Sequence, residues 1–188
     1  MKAAGFVLVG GHSSRMGRDK ALLPLHSGLL IEHIAANVAA AAGTVALIGE
    51  PDRYMHLAVT CLPDLRPGMG PLAGIEAALE SGRGELNLIV ACDMPGLEAD
   101  WLQRLVQEAR DTDALCLVSR DASGMVHPLC AVYRSGCLPA VQRALDAGRL
   151  KLMDVVRELG ASTFEISSHV WNVNTPLEWL AWEQAHCQ

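Results

Sequence analysis

Short apolar runs, broken by glycine, proline and small polar residues, set the rhythm of this chain. Residues 6–9 are uniformly apolar, as in a strand buried on both faces, and Gly10-Gly11 ends them. Between 29 and 42, apolar residues fall on most faces of a helical repeat, which predicts a well-buried helix stopped by Gly43. Further strands are expected at 44–48, 58–62, 87–91 and 114–118, and helices at 71–81 and 101–110. Pro71 suits a first helical turn, where its missing N–H would have had no helical partner. This alternation predicts a mostly parallel sheet with helices on both faces. After Ser119 the rhythm changes. There, 125–133 reads as extended, 138–147 and 153–159 as helical, 163–166 and 170–173 as short strands, and 176–185 as a last helix.

Composition narrows the class. At 188 residues the chain suits one domain with a sizeable core, and 51% hydrophobic against 19% charged residues marks it as globular. A net charge of −6 argues against a general binder of nucleic acid or anionic membranes, so cations must act locally. No stretch reaches the roughly 18 apolar residues of a membrane helix. Cys61, Cys92, Cys116, Cys130, Cys137 and Cys187 form no Cys-x-x-Cys pair, and several sit in apolar runs as small hydrophobes. A reduced, cytoplasmic setting is expected.

The chemistry begins where the first strand ends. Leu8-Val9-Gly10-Gly11 leads into a loop carrying Arg15, Arg18 and Lys20. A Gly-rich basic loop at the carboxyl end of a strand is where open α/β sheets bind ligands. Glycines let backbone N–H groups approach an anion, and Arg15 and Lys20 can add charge-assisted hydrogen bonds to phosphate. The spacing fits neither the P-loop nor the dinucleotide fingerprint. A surface turn with solvated cations is the plain alternative.

Two further stretches point to the same edge. Asp64 follows the third strand, and Gly68-Met69-Gly70-Pro71 leads into a helix N-terminus with free N–H groups and a positive dipole end. A carboxylate there can accept from paired donors such as guanine N1 and N2, or can merely cap its own loop. Asp93, in Cys92-Asp93-Met94-Pro95, ends a buried strand and suits Mg²⁺, which takes one carboxylate, phosphate oxygens and water. Asn172 and Asn174 alternate along an extended segment and share a side, either to bind a ligand or to cap the last helix. His127 beside Pro128 reads as structural on its own chemistry, and Arg149 and Lys151 read equally as phosphate contacts or as a solvated pair. No zinc motif, nucleophile elbow or serine–base pair appears.

Taken together, Leu8-Val9-Gly10-Gly11-x-Ser-Ser-Arg15-Met16-Gly17-x-Asp19-Lys20, the Asp64 to Gly74 stretch, Cys92-Asp93-Met94-Pro95, His127-Pro128-Leu129 and Asn172-x-Asn174-Thr175 resemble the signature segments of molybdenum cofactor guanylyltransferases. The resemblance implies a Rossmann-like three-layer α/β/α nucleotidyltransferase fold over 1–188, with a nucleotide-binding half to about 118 and an acceptor-binding half after it. It implies transfer of GMP from GTP to molybdopterin with Mg²⁺ as cofactor. Arg15, Lys20 and Asp93 would be catalytic, Leu8, Val9, Gly10, Gly11, Lys20, Asp64, Gly70 and Asp93 would hold GTP, Asp93 would hold the metal, and Asn172 and Asn174 would face the acceptor. Transient contact with cofactor-synthesis proteins or molybdoenzyme chaperones is also implied, with no nucleic-acid or membrane partner.

The chain departs from the family pattern in two places. Residues 48–53, Ile-Gly-Glu-Pro-Asp-Arg, lack the asparagine that relatives place near the ribose or base, and valine stands at position 9 instead of alanine. Three alternatives remain open at this stage. They are a cytidylyltransferase for the same cofactor, a sugar-phosphate nucleotidyltransferase, and a non-catalytic nucleotide-binding or cofactor-delivery protein of this fold.

Overall fold

The computed structural model describes residues 1–10, 19–25, 28–166, 170 and 172–186. In chain order the strands are β1 (Ala3–Leu8), β2 (Pro24–Leu25), β3 (Gly28–Leu29), β4 (Val45–Gly49), β5 (Cys61–Pro63), β6 (Leu86–Ala91), β7 (Cys116–Arg120), β8 (Val126–Arg134) and β9 (Ser162–Glu165). The helices are α1 (Leu30–Ala42), α2 (Pro51–Tyr54), α3 (Pro71–Glu80), α4 (Ala99–Asp111), α5 (Leu138–Asp146), α6 (Leu152–Glu158) and α7 (Pro176–His186).

Among the described residues, seven strands form one sheet in the order β5-β4-β1-β6-β8-β7-β9. Every neighbouring pair is parallel except those of β8, which runs antiparallel to both β6 and β7. One face packs against α1 and α4, with Trp179 and Trp182 of α7 in the same core. The other packs against α3, α5 and α6. The mostly parallel, three-layer expectation therefore stands.

The central strands have no solvent face, which explains their unbroken hydrophobicity. Leu86, Leu88 and Val90 of β6 point into one core and Ile89 into the other. On α1, Leu30, Ile31, Ile34 and Val38 are fully buried. At about 1.5–3 kcal/mol for each large apolar side chain withdrawn from water, this stripe fixes α1 over the sheet. Gly43 then ends α1 in a left-handed conformation, φ 79°. Among the described residues, no helix is long and apolar enough to cross a membrane.

Two expected strands change. The strand expected at 58–62 forms only at Cys61–Pro63, because β5 is a sheet edge that pairs with the last three residues of β4 alone. Pro63 is tolerated there because an edge strand need not donate from every residue. No strand forms at 170, 172 or 173. Val170 and Val173 are buried in the core, and Val173 gives its single N–H to the Asp93 carbonyl at 2.8 Å. Three positions apart, they would face opposite sides of a strand, yet both enter one core, so their apolar character records burial and not ladder pairing. The short α2 and the β2–β3 hairpin are too brief to carry a periodic signal.

The parallel strands β1, β4 and β6 end together, and their ladders continue past the ends. Val9 N donates to Ile48 O at 2.9 Å, Cys92 N to Leu8 O at 3.2 Å, and Asp64 N to Gly49 O at 3.3 Å. These bonds bring the segments after four strands to one edge. Close approach of α1 to β1 is part of that alignment. A Cβ on Gly5 would meet Val38 Cγ1 and lie 2.8 Å from Thr44 O. Gly5→Ala is expected to cost about 1–3 kcal/mol by overpacking, read as a lower urea midpoint with an unchanged slope.

Candidate active site

The carboxyl edge of the sheet gathers most of the sequence-predicted residues. Gly11 and Arg15 lie outside the described residues. Leu8 ends β1, Val9 extends its ladder, and Gly10 follows with φ 93°. A Cβ on Gly10 would meet nothing within 4 Å, so one side of this backbone faces open space, although its φ strains any side chain. Gly70, φ 73°, caps α3 beside similar open space and sets Pro71 at the first helical turn. Two uncrowded backbone segments thus meet one edge, as anion binding by N–H groups requires.

Lys20 joins the two halves of the chain. Its Nζ donates to Asn174 Oδ1 at 2.7 Å. Glu178, in the first turn of α7, accepts from the amides of Asn174 at 2.6 Å and Thr175 at 2.9 Å, while Thr175 Oγ1 accepts from Glu178 N at 3.2 Å. This reciprocal capping box holds the turn before α7. The Asn174 amide, outweighing partial burial, holds the Glu178 carboxyl below its ordinary range. Asn172 is half-buried on the other side of Val173, whose N–H is bonded to Asp93 O. Lys20, Asp93 and the 172–174 segment are therefore one assembly.

Asp93 carries the least satisfied carboxylate of that assembly. Its Oδ1 is sealed from solvent and accepts no hydrogen bond among the described residues. Burial raises the Asp93 carboxyl above its ordinary range, and the Lys20 ammonium only partly offsets this. A buried acceptor without a donor is costly unless a cation meets it. That orphaned oxygen fits a hard divalent ion. Among the described residues no group of three or more His, Cys, Asp and Glu converges on a metal position. Burial and then the Asp93 and Asp19 carboxylates push the Cys92 thiol up to about 12. Cys92 is a neutral thiol there, which disfavours it as a nucleophile.

Asp64 sits half-buried after β5, with Oδ1 accepting from Arg66 N at 2.9 Å in a local turn. Arg66 was not singled out by sequence. Its Nε donates to Glu76 Oε2 at 2.9 Å and one terminal nitrogen to Asp146 Oδ1 at 2.6 Å. Glu76 is buried on α3, so the Asp64 loop is tied to that helix by a partly buried ion pair. A glutamate in the middle of α3, flanked on both sides by apolar residues, was the available signal. His127 is buried with Nε2 3.1 Å from Asp121 Oδ2. Burial alone would raise the Asp121 carboxyl. Bonds from Ser123, His127 and nearby amides outweigh it and hold the group well below the usual range. The pair closes the β7–β8 turn, in keeping with a structural histidine. Arg149 bonds Glu158 at 2.8 Å on the exposed surface, and Lys151 lies 3.7 Å from Asp154.

The sequence pattern of the MobA-like NTP transferase domain matches residues 5–163. The chain belongs to this family. A protein of Carboxydothermus hydrogenoformans named probable molybdenum cofactor guanylyltransferase is 34% identical over 182 residues, covering 92% of this chain and 91% of its own. One of the same name from Mycobacterium tuberculosis is 38% identical over 160 residues, covering 81% and 78%. The crystal structure of molybdopterin-guanine dinucleotide biosynthesis protein A from Archaeoglobus fulgidus superposes with a TM-score of 0.83 at 23% identity, over 97% of each chain. CMP:2-keto-3-deoxy-manno-octonic acid synthetase, complexed with CTP, superposes with a TM-score of 0.80 at 15% identity over 100% of each chain. The MobA-like chain is accordingly a nucleotidyltransferase, and the structural likenesses fix its fold, not its base.

The unpartnered Asp93 oxygen has a stability consequence. Because the carboxyl is raised on folding, its ionisation opposes the folded state above the ordinary carboxylate range, and lowering pH toward that range relieves the penalty. Asp93→Asn should therefore raise the thermal midpoint in metal-free buffer at neutral pH, with a smaller gain near pH 4, as measured by scanning calorimetry.

Proposed function

We propose that this protein transfers GMP from GTP to the terminal phosphate of molybdopterin, releasing pyrophosphate. The observation that carries this reading is the 2.7 Å bond from Lys20 to Asn174, which ties the glycine-loop side of the edge to the segment expected to face the acceptor. Two phosphate-bearing substrates meeting across that bond would have their reacting groups within reach of one ammonium.

The acceptor phosphate oxygen attacks the α-phosphorus of GTP in line with the departing oxygen. A new P–O bond forms as the α–β bridge breaks, and pyrophosphate leaves with the electron pair. No enzyme nucleophile is required, in keeping with a neutral Cys92. Lys20 and Arg15 stabilise charge on the phosphoryl oxygens, and the backbone of Leu8, Val9, Gly10 and Gly11 positions the triphosphate. Asp93 would hold Mg²⁺ through its unpartnered Oδ1, and the ion would supply further charge neutralisation. Gly70 leaves the α3 N-terminus open toward the nucleotide. Asp64 takes the guanine N1 and N2 donors, its Oδ1 already oriented by the Arg66 amide. Asn172 and Asn174 orient the acceptor, with Asn174 held by Lys20 and by the Glu178 cap.

Nucleotide choice tests the reading directly. A ligand bound only by the folded state raises the thermal midpoint, by about 2.7 kcal/mol of stabilisation at a hundredfold excess over Kd. With Mg²⁺ present, GTP should raise the midpoint while CTP, ATP and UTP do not, and Asp64→Ala should abolish the difference. A rise with CTP alone would assign a cytidylyltransferase, and no rise with any nucleotide would overturn the reading.

A further inference from the structure

The segment that departs from the family pattern, residues 48–53, leads into α2, and α2 reaches back to the signature loop. The Tyr54 hydroxyl, at the tip of a fully buried side chain, donates to Asp19 Oδ2 at 2.7 Å. Arg53 Nε lies 3.1 Å from the same oxygen. The other oxygen, Oδ1, accepts from Ala21 N at 3.0 Å and caps the short 3-10 turn that opens with Lys20. Both carboxylate oxygens of Asp19 are thus committed, one to α2 and one to the turn carrying Lys20. The Asp19 side chain is 10% exposed, so these bonds are made largely out of water, where charge-assisted hydrogen bonds are strongest. Burial first, and then the bond to Asp19, raise the Tyr54 hydroxyl well above its ordinary range, so it stays a donor at any working pH.

We propose that Tyr54 and Arg53 are positioning residues for phosphoryl transfer, acting through Asp19 to fix the turn that aims Lys20 at the reacting phosphates. This rests on the reading of Lys20 given above. The sequence of the contact is Tyr54 and Arg53 to Asp19, Asp19 to the Lys20 turn, and Lys20 to Asn174. Arg53, more exposed than Asp19, is the weaker holder. Tyr54 is the principal one.

The test is a double-mutant cycle on the intact chain with Mg²⁺, GTP and molybdopterin, reading kcat, KM and GTP affinity. Tyr54→Phe removes one hydroxyl and keeps the ring in the core. It should lower kcat about 10-fold with less than about 3-fold change in the KM for GTP, since a small misplacement of a catalytic group costs rate before binding. In a Lys20→Ala background the same substitution should have no further effect on kcat. Arg53→Met should act in the same direction and more weakly, and it provides the cycle if Tyr54→Phe does not fold. Equal losses in both backgrounds would reduce Tyr54 to a structural residue and overturn the proposal, as would an unchanged kcat in folded Tyr54→Phe. If the wild type binds GTP but forms no dinucleotide, the proposed reaction fails and the positioning role, which rests on it, falls with it, whereas additive losses in an active enzyme overturn the positioning role alone. A wild type that binds no GTP overturns both.

Discussion

The hydrogen bond between Lys20 Nζ and Asn174 Oδ1 spans 154 positions of the chain, and it exists only because the strands end where they do. β1 delivers the loop that contains Lys20, β6 delivers Asp93, and the Asp93 carbonyl receives the N–H of Val173, the neighbour of Asn174. A parallel sheet makes this convergence inevitable, since its strands present their carboxyl ends along one edge. Antiparallel β8 enters the sheet from that same edge, its Cys130 opposite Val90 near the end of β6. The buried Val170 and Val173 then fasten the returning C-terminal segment to the core. The candidate site residues are not neighbours in sequence, and they are brought together by backbone bonds at the strand ends and by side-chain bonds such as that of Lys20 to Asn174.

Polar groups around this edge are satisfied unevenly, and the unevenness separates holding from reacting. Glu178 and Asp19 each accept from two or more donors and fix turns or helix starts, and Glu76 accepts from Arg66. Asp93 Oδ1 is buried without a donor among the described residues. Such an arrangement opposes stability in the free protein, as functional carboxylates commonly do, and it is the feature on which the proposed metal role of Asp93 rests. Asp64, the proposed base reader, sits in a loop tied to α3 by the Arg66–Glu76 pair.

Much of the fold was legible because burial writes itself into sequence. Uniform apolar runs gave the central parallel strands, and the stop signal at Gly43 and the start signal at Pro71 gave helix limits to within a residue or two. Where burial and pairing part company, the reading failed. Val170 and Val173 read as part of a strand because both are apolar, yet among the described residues the segment gives one backbone bond, Val173 to Asp93, instead of a ladder. The candidate site was legible where chemistry sits in local motifs, as at Asp93 and Asp64. It was not legible where partners meet through the fold. Arg66 finds Glu76 10 positions away and Tyr54 finds Asp19 35 positions away, separations that leave no periodic trace. The departure at 48–53 was visible, but its contribution through α2 required coordinates.

The central claim is that one edge brings a guanine nucleotide and a phosphorylated pterin together for direct transfer. Its most direct test is chromatographic quantification of product from purified protein, Mg²⁺, molybdopterin and GTP labelled at the α-phosphate. The account predicts label in molybdopterin guanine dinucleotide, one pyrophosphate per product, and no label on the protein itself. Label retained covalently on the protein, or dinucleotide formed from CTP but not GTP, would contradict it.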